Sequence, residues 1–230
     1  MSEALLKIPE LQLYSTIDAL IQNVRNDFNS ATDVTQTYLY QIFGSIPDYG
    51  HYNFFKEAQA TLITTEDDDR HLVVRMMFDP ERAGIPTIHI NMPEETSGAN
   101  GIGVDQGYRS ALFNQAEGTY TEVNTRRFDS TYNIIVTSDS NFQVIVLYNL
   151  LKALLTAVFD HLSLLGLENP ILGGQDLQIY GEIVPTNIFM RALTLSVQNE
   201  ISTPKLFSKK QVKDLIFCGE ISGSPYKNGE

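Results

Sequence analysis

Four histidines, His51, His71, His89 and His161, offer the widest chemistry in this chain, because imidazole ligates metals and moves protons near neutral pH. Their spacing builds no zinc site. There is no H-x-x-x-H pair among them and no second cysteine to complete a Cys–His set. His89 followed by Glu94 and Glu95 comes nearest to a ligand set and would suit a metal-dependent hydrolase. A strand histidine leading into a solvated acidic loop explains the same residues more simply. The acidic run from Glu66 to Asp69 could hold a divalent cation through its carboxylates. Lying between two strand-like segments, it reads better as a solvated hairpin tip.

The remaining chemical candidates fail in the same way. The stretch GANGIGVDQG (98–107) lacks the G-x-x-x-x-G-K-[ST] cradle and the strand–G-x-G-x-x-G–helix setting that hold phosphates. No G-x-S-x-G elbow presents a nucleophilic serine. Cys218 has no basic neighbour nearer than Lys213 to favour its thiolate. The chain therefore reads as a non-enzymatic protein with no catalytic residue, no cofactor and no metal.

Composition narrows the partners. The chain has 230 residues and a formal net charge of −12. Nucleic-acid binding needs clustered Lys and Arg, so this balance argues against it and suits a wall past which DNA slides. The single Cys218 excludes an internal disulfide and fits synthesis in a reducing cytoplasm. Residues 1–10 lack the basic and apolar regions of a signal peptide, so an intracellular, soluble product is expected.

The elements are legible in outline. Leu13, Ile17, Leu20, Ile21, Val24 and Phe28 recur at helical spacing over 9–28, with Pro9 in the first turn. Thr32 or Asp33 caps a second helix ending at Gly44, and SIPDYGHY (45–52) is a turn-rich link. Residues 52–65 begin like a helix and end like a strand. Strands are expected at 71–79, 86–91, 119–123 and 128–137, then at 176–184 and 187–201 joined through Pro185 and Thr186. The glycine-rich stretch 92–118 reads as a long mobile loop. This order predicts an α+β domain: a mainly antiparallel sheet with a long central helix and the N-terminal helices packed on one face. Residues 1–203 form that single domain, and 204–230 a C-terminal arm.

The strongest helix signal covers residues 141–165. Ser140 with Gln143 fits a capping box, and Gly166 fits a left-handed C-terminal cap with Leu167 placed against Leu162. Asn149, Lys152, Thr156, Asp160 and Ser163 fall in one narrow polar stripe, and nearly everything else is apolar. That apolar face is wider than one sheet covers, since a sheet-packed helix needs only a little over ~100°. The helix is either wholly buried in its own domain or packed on both its sheet and a neighbouring subunit. Gln143, Asn149, Lys152, Asp160 and His161 argue against a third alternative, a membrane span. In the second alternative Leu151, Leu155, Val158, Phe159 and Leu162 contribute to a subunit interface. The arm adds Val212, Ile216 and Phe217, and its Lys205, Lys209, Lys210 and Lys213 would draw it to acidic surfaces of identical subunits.

The succession PTIHINMPEE, a glycine-rich insertion, FDSTYNIIVTSDS, the apolar helix ending HLSLLGLENP, and GGQDLQIYGEIVPTNIFMRALTLSV resembles tailed-phage virion proteins. It is similar to tail-terminator and neck (head–tail joining) ring proteins, including the ring proteins of crAss-like phage necks, over residues 85–201. The resemblance implies a virion protein assembled in the host cytoplasm as a homo-oligomeric ring. Its partners would be identical subunits and adjoining portal, neck or tail-tube proteins, with DNA only passing through the lumen and no membrane involved. Two other functions remain open on the residues: a ligand-binding or adaptor α+β domain, and the hydrolase built on His89.

Overall fold

The computed structural model describes residues 8–63, 71–77, 85–98, 112–114, 119–121, 123–176 and 188–204. Helix α1 (Pro9–Ser30) opens with proline, whose missing N–H costs nothing in a first turn. Asp33 caps a short 3-10 turn (Val34–Gln36), and Thr37 then caps α2 (Tyr38–Phe43). The second helix expected to end at Gly44 is thus two short pieces. Asn53 caps α3 (Phe54–Leu62), which resolves the ambiguous 52–65 stretch as helix.

Strand β1 (Val73–Met76) runs parallel to β2 (Thr87–Ser97). The second strand is longer than expected, since it continues through residues 92–97 that the sequence assigns to a loop. A register shift between Asn91 and Glu94 absorbs Pro93, which has no N–H for the ladder. Strands β3 (Leu112–Asn114) and β4 (Thr119–Thr121) form a separate antiparallel pair, so part of the expected loop is sheet. Its stretches 99–111 and 115–118 lie outside the described residues. Strand β4 stands where a strand is expected at 119–123, and β5 (Val123–Ser138) begins five residues before the strand expected at 128–137.

The expected long helix is two helices, α4 (Asn141–Ala157) and α5 (Phe159–Leu164). Val158 breaks it, with ψ near 15° and its N–H turned to the Thr156 carbonyl. No proline or glycine marks the break. The C-terminal end reads as expected, and the N-terminal end does so in part. Ser140 Oγ accepts from the Gln143 N–H at 3.4 Å, although Gln143 does not reach back to Ser140 as a full capping box requires. Its Oε1 accepts from Ser138 Oγ, which in turn accepts from the Ser140 N–H. At the far end Gly166 adopts φ 88°, and the Leu167 N–H bonds the Leu162 carbonyl at 3.0 Å, the Schellman pattern.

Strand β6 (Glu168–Asp176) follows at once, eight residues earlier than the sequence places a strand, and β7 (Phe189–Pro204) pairs with it antiparallel. Residues 177–187, most of the expected first strand of that hairpin, lie outside the described residues. The main sheet has the order β1-β2-β5-β7-β6. It is mixed but mostly antiparallel, and with its helices it makes an α+β fold.

One sheet face carries the core. Val74, Ile88, Ile90, Tyr132, Ile134, Val136, Leu193, Leu195 and Val197 meet apolar residues from every helix in a single buried cluster. Side chains alternate along a strand, so Thr131, Asn133, Thr194, Ser196 and Gln198 line the opposite face. The chain divides into two compact units, Ile8–Gly98 with Arg127–Asn199, and Met1–Lys7 with Ala99–Arg126 and Glu200–Glu230. Among the described residues, no helix is long and apolar enough to cross a membrane.

Candidate functional site

The histidines do not converge. His51 is exposed in a tight turn and His161 is exposed on α5, whereas His89 is fully buried within β2. The ring nitrogens of His89 lie 3.2 Å from the Met77 carbonyl and 3.3 Å from Thr137 Oγ1, so the ring is held between β1 and β5. Glu94 and Glu95 are exposed and sit five and six positions further along the same strand. At ~3.3 Å per residue that separation is about 16 Å or more, too far for one ion. The ligand set considered for a hydrolase is not assembled. Among the described residues, no group of three or more His, Cys, Asp or Glu side chains could hold a metal. The acidic run 66–69 and Cys218 lie outside the described residues.

The residues assigned to a subunit interface separate into three groups. Leu151, Leu155 and Leu162 are 1%, 0% and 0% exposed, buried against the chain's own core. All three belong to the single buried cluster that the helices share with the sheet. Val158 and Phe159, at the break between α4 and α5, are half-buried. Val212, Ile216 and Phe217 lie outside the described residues. The polar stripe behaves as read: Asn149, Lys152, Thr156, Asp160 and Ser163 are all exposed.

What remains available is the β6 side of the sheet. Strand β6 hydrogen-bonds only to β7 among the described residues, so no described strand lies along its other edge. Ile171 is 68% exposed there, and Gly173, Gly174 and Gln175 are exposed beside it. Edge strands invite pairing with another chain unless they are blunted. Here Pro170 blunts only the start, at a register shift shared with Asn169 in a left-handed conformation (φ 49°). Gly174 is required by its neighbour: a Cβ there would fall 1.8 Å from the Tyr148 hydroxyl, whose ring lies under the Arg191 guanidinium. The sequence shows the glycine pair but not the tyrosine that needs it.

Apart from exposed Ile171, which lies opposite Ser196, the sheet face away from the helices carries polar side chains that bond one another. Asn169 Nδ2 donates to Gln198 Oε1 at 2.7 Å, and Gln198 Nε2 donates to Asp129 Oδ1 at 2.9 Å. Thr131 and Ser196 hydroxyls meet at 3.3 Å, and Thr194 Oγ1 donates to Asn133 at 3.4 Å. The Arg127–Glu168 ion pair, 3.2 Å long and partly exposed on both sides, ties β5 to the start of β6. A pair this accessible contributes below ~1 kcal/mol.

A second polar group is buried on the core face, where β2, β5 and β7 adjoin. Ser130 Oγ lies 2.8 Å from Asn199 Oδ1 and 3.2 Å from Glu95 Oε2, and its single proton serves only one of them at a time. The Tyr132 hydroxyl and Asn199 Nδ2 are buried and have no hydrogen-bond partner among the described residues. Burial above all, with the charge of Glu10, pushes the Tyr132 hydroxyl pKa well above its usual value. Ser130 lowers it slightly from nearby, without reaching hydrogen-bond geometry. Two polar atoms without partners are a stability cost, and they carry no reactive group.

No protein-family model matches the chain, and no curated protein matches it.

Proposed function

We propose that this protein is a non-enzymatic structural subunit that joins copies of itself into a ring at the neck of a tailed-phage virion or the head-proximal end of its tail. DNA passes through the lumen of that ring, and portal, neck or tail-tube proteins adjoin it. The observation that carries the reading is the β6 edge, unpaired among the described residues, with exposed Ile171 on the same strand. It is a surface suited to receiving a segment of another chain, on a sheet whose described helices pack on one face. A contact in which an edge on one subunit receives a different element of the next is head-to-tail, and such contacts close into rings when the rotation permits.

Two sequence features support the virion setting. The strand, apolar helix and hairpin succession over 85–201 resembles neck and terminator ring proteins. The net charge of −12 suits a channel that repels DNA enough to let it move. The test is the mass of the purified full-length chain by light scattering over a range of concentrations. A single defined multiple of 25.8 kDa supports the reading. A monomer throughout that range overturns it.

A further inference from the structure

We propose that residues 205–230 of one subunit add a strand to the outer β6 edge of the next, making an exchanged arm the joint of the ring. This inference rests on the ring reading above and specifies its contact. Four observations converge on this pairing of edge and arm.

The edge is available and partly apolar, with Ile171 standing 68% exposed on a strand that has a partner on one side only among the described residues. The occupant has matching composition. Val212, Leu215, Ile216 and Phe217 supply an apolar run too short to fold alone. Charges are complementary in part: Glu168 is already paired with Arg127, but Asp176 adds an acid to a strand that holds no base, while residues 205–213 hold Lys205, Lys209, Lys210 and Lys213 and no acid. Reach is sufficient, since residues 205–230 span up to about 85 Å when extended at ~3.3 Å each.

Direction favours a neighbour over the chain's own edge. Strand β7 is antiparallel to β6, and Gln198 near its end lies opposite Glu168 at the β6 start. An arm leaving Pro204 and turning directly onto its own β6 would have to run parallel to it, the less stable pairing per residue. The arm of another subunit is free to enter antiparallel, with backbone bonds supplying affinity and Ile171 with the bare Gly173 position supplying side-chain fit.

The chain's one cysteine, Cys218, lies in the arm and provides the test. Ile171→Cys, Gly173→Cys and Gln175→Cys, each made singly in the full-length chain, step along β6. All three positions are exposed, and a Cβ at Gly173 meets only Thr194 atoms at 3.9 Å. Mild oxidation followed by a non-reducing gel should give, for at least one variant, a ladder of linked chains holding most of the protein. Adding Cys218→Ser should abolish that ladder. Linked monomers that migrate faster, with no ladder, would place the arm on its own edge and overturn the exchange. Rings that form normally while no variant cross-links would overturn this contact and leave the ring reading standing. A monomer by light scattering with no cross-links would end both.

Discussion

The Arg25 guanidinium donates from Nε to the Leu62 carbonyl at 2.9 Å, across 37 residues of sequence. Its Nη2 donates to the Leu72 carbonyl at 3.0 Å, and the side chain is 8% exposed. One buried cation therefore ties α1 to the last carbonyls of α3 and to the residue leading into β1. The end of a helix leaves its last C=O groups without intrahelical partners, and Arg25 supplies one to Leu62.

Arg25→Met should be strongly destabilising for that reason. Each buried acceptor left unpaired costs ~1–3 kcal/mol, so urea unfolding should show a loss of at least ~2 kcal/mol. Arg25→Lys should recover only part of it, since an ammonium lacks the fork that reaches two carbonyls at once. A midpoint for Arg25→Met equal to that of the parent chain would remove this contact from the account of the fold.

Gly174→Ala should be felt through Tyr148. The new Cβ would overlap the Tyr148 hydroxyl, and moving the ring gives up its contact with Arg191, whose guanidinium carbon lies 5.6 Å from the ring centroid. A loss of about 1 kcal/mol is expected, in the range of a cation–π contact plus a shifted side chain. In a Tyr148→Phe background the same Gly174→Ala change should cost less, because the closest atom is gone. Equal costs in both backgrounds would show that the glycine serves some other need.

Tyr132 gives a pH dependence with a defined sign. Burial raises its hydroxyl pKa above the usual 10.0, so the unfolded chain releases this proton first. The stability contributed by the neutral hydroxyl is complete below pH 10 and declines as the pH rises beyond it. Tyr132→Phe should be neutral or slightly stabilising at pH 8, because the lost hydroxyl has no hydrogen-bond partner among the described residues. Between pH 10 and 11 the parent should lose about 1 kcal/mol more than the variant, as the limit of ~1.4 kcal/mol per pH unit for one proton allows. Tyr38, also raised by burial, titrates in both and does not obscure the difference.

Local chemistry was legible in the sequence wherever a backbone need selects a residue type. Pro9 at a helix start, Ser140 at a cap and Gly166 at φ 88° are such positions, and each marks its boundary correctly. The exposed stripe from Asn149 to Ser163 was legible from periodicity alone. Long-range pairing was not. The stretch ENPILGGQD is a strand because β7 pairs with it, against the local signals of Pro170 and two glycines. Residues beyond Met92 are strand because β5 continues opposite them to Ser97. The break at Val158 has no helix-breaking residue to announce it, and it separates Leu155 from Leu162, both of which the core buries. The β6 edge was hidden for the same reason as the strand itself, because an edge exists only once the sheet order is known.

Electron microscopy of the purified full-length protein in negative stain tests the central claim most directly. Closed rings of one size with an open lumen are the expected result, and they should be lost on removing residues 205–230 while the far-ultraviolet circular dichroism of the fold persists. Single particles the size of one 25.8 kDa chain, at concentrations where assembly proteins associate, would contradict the account.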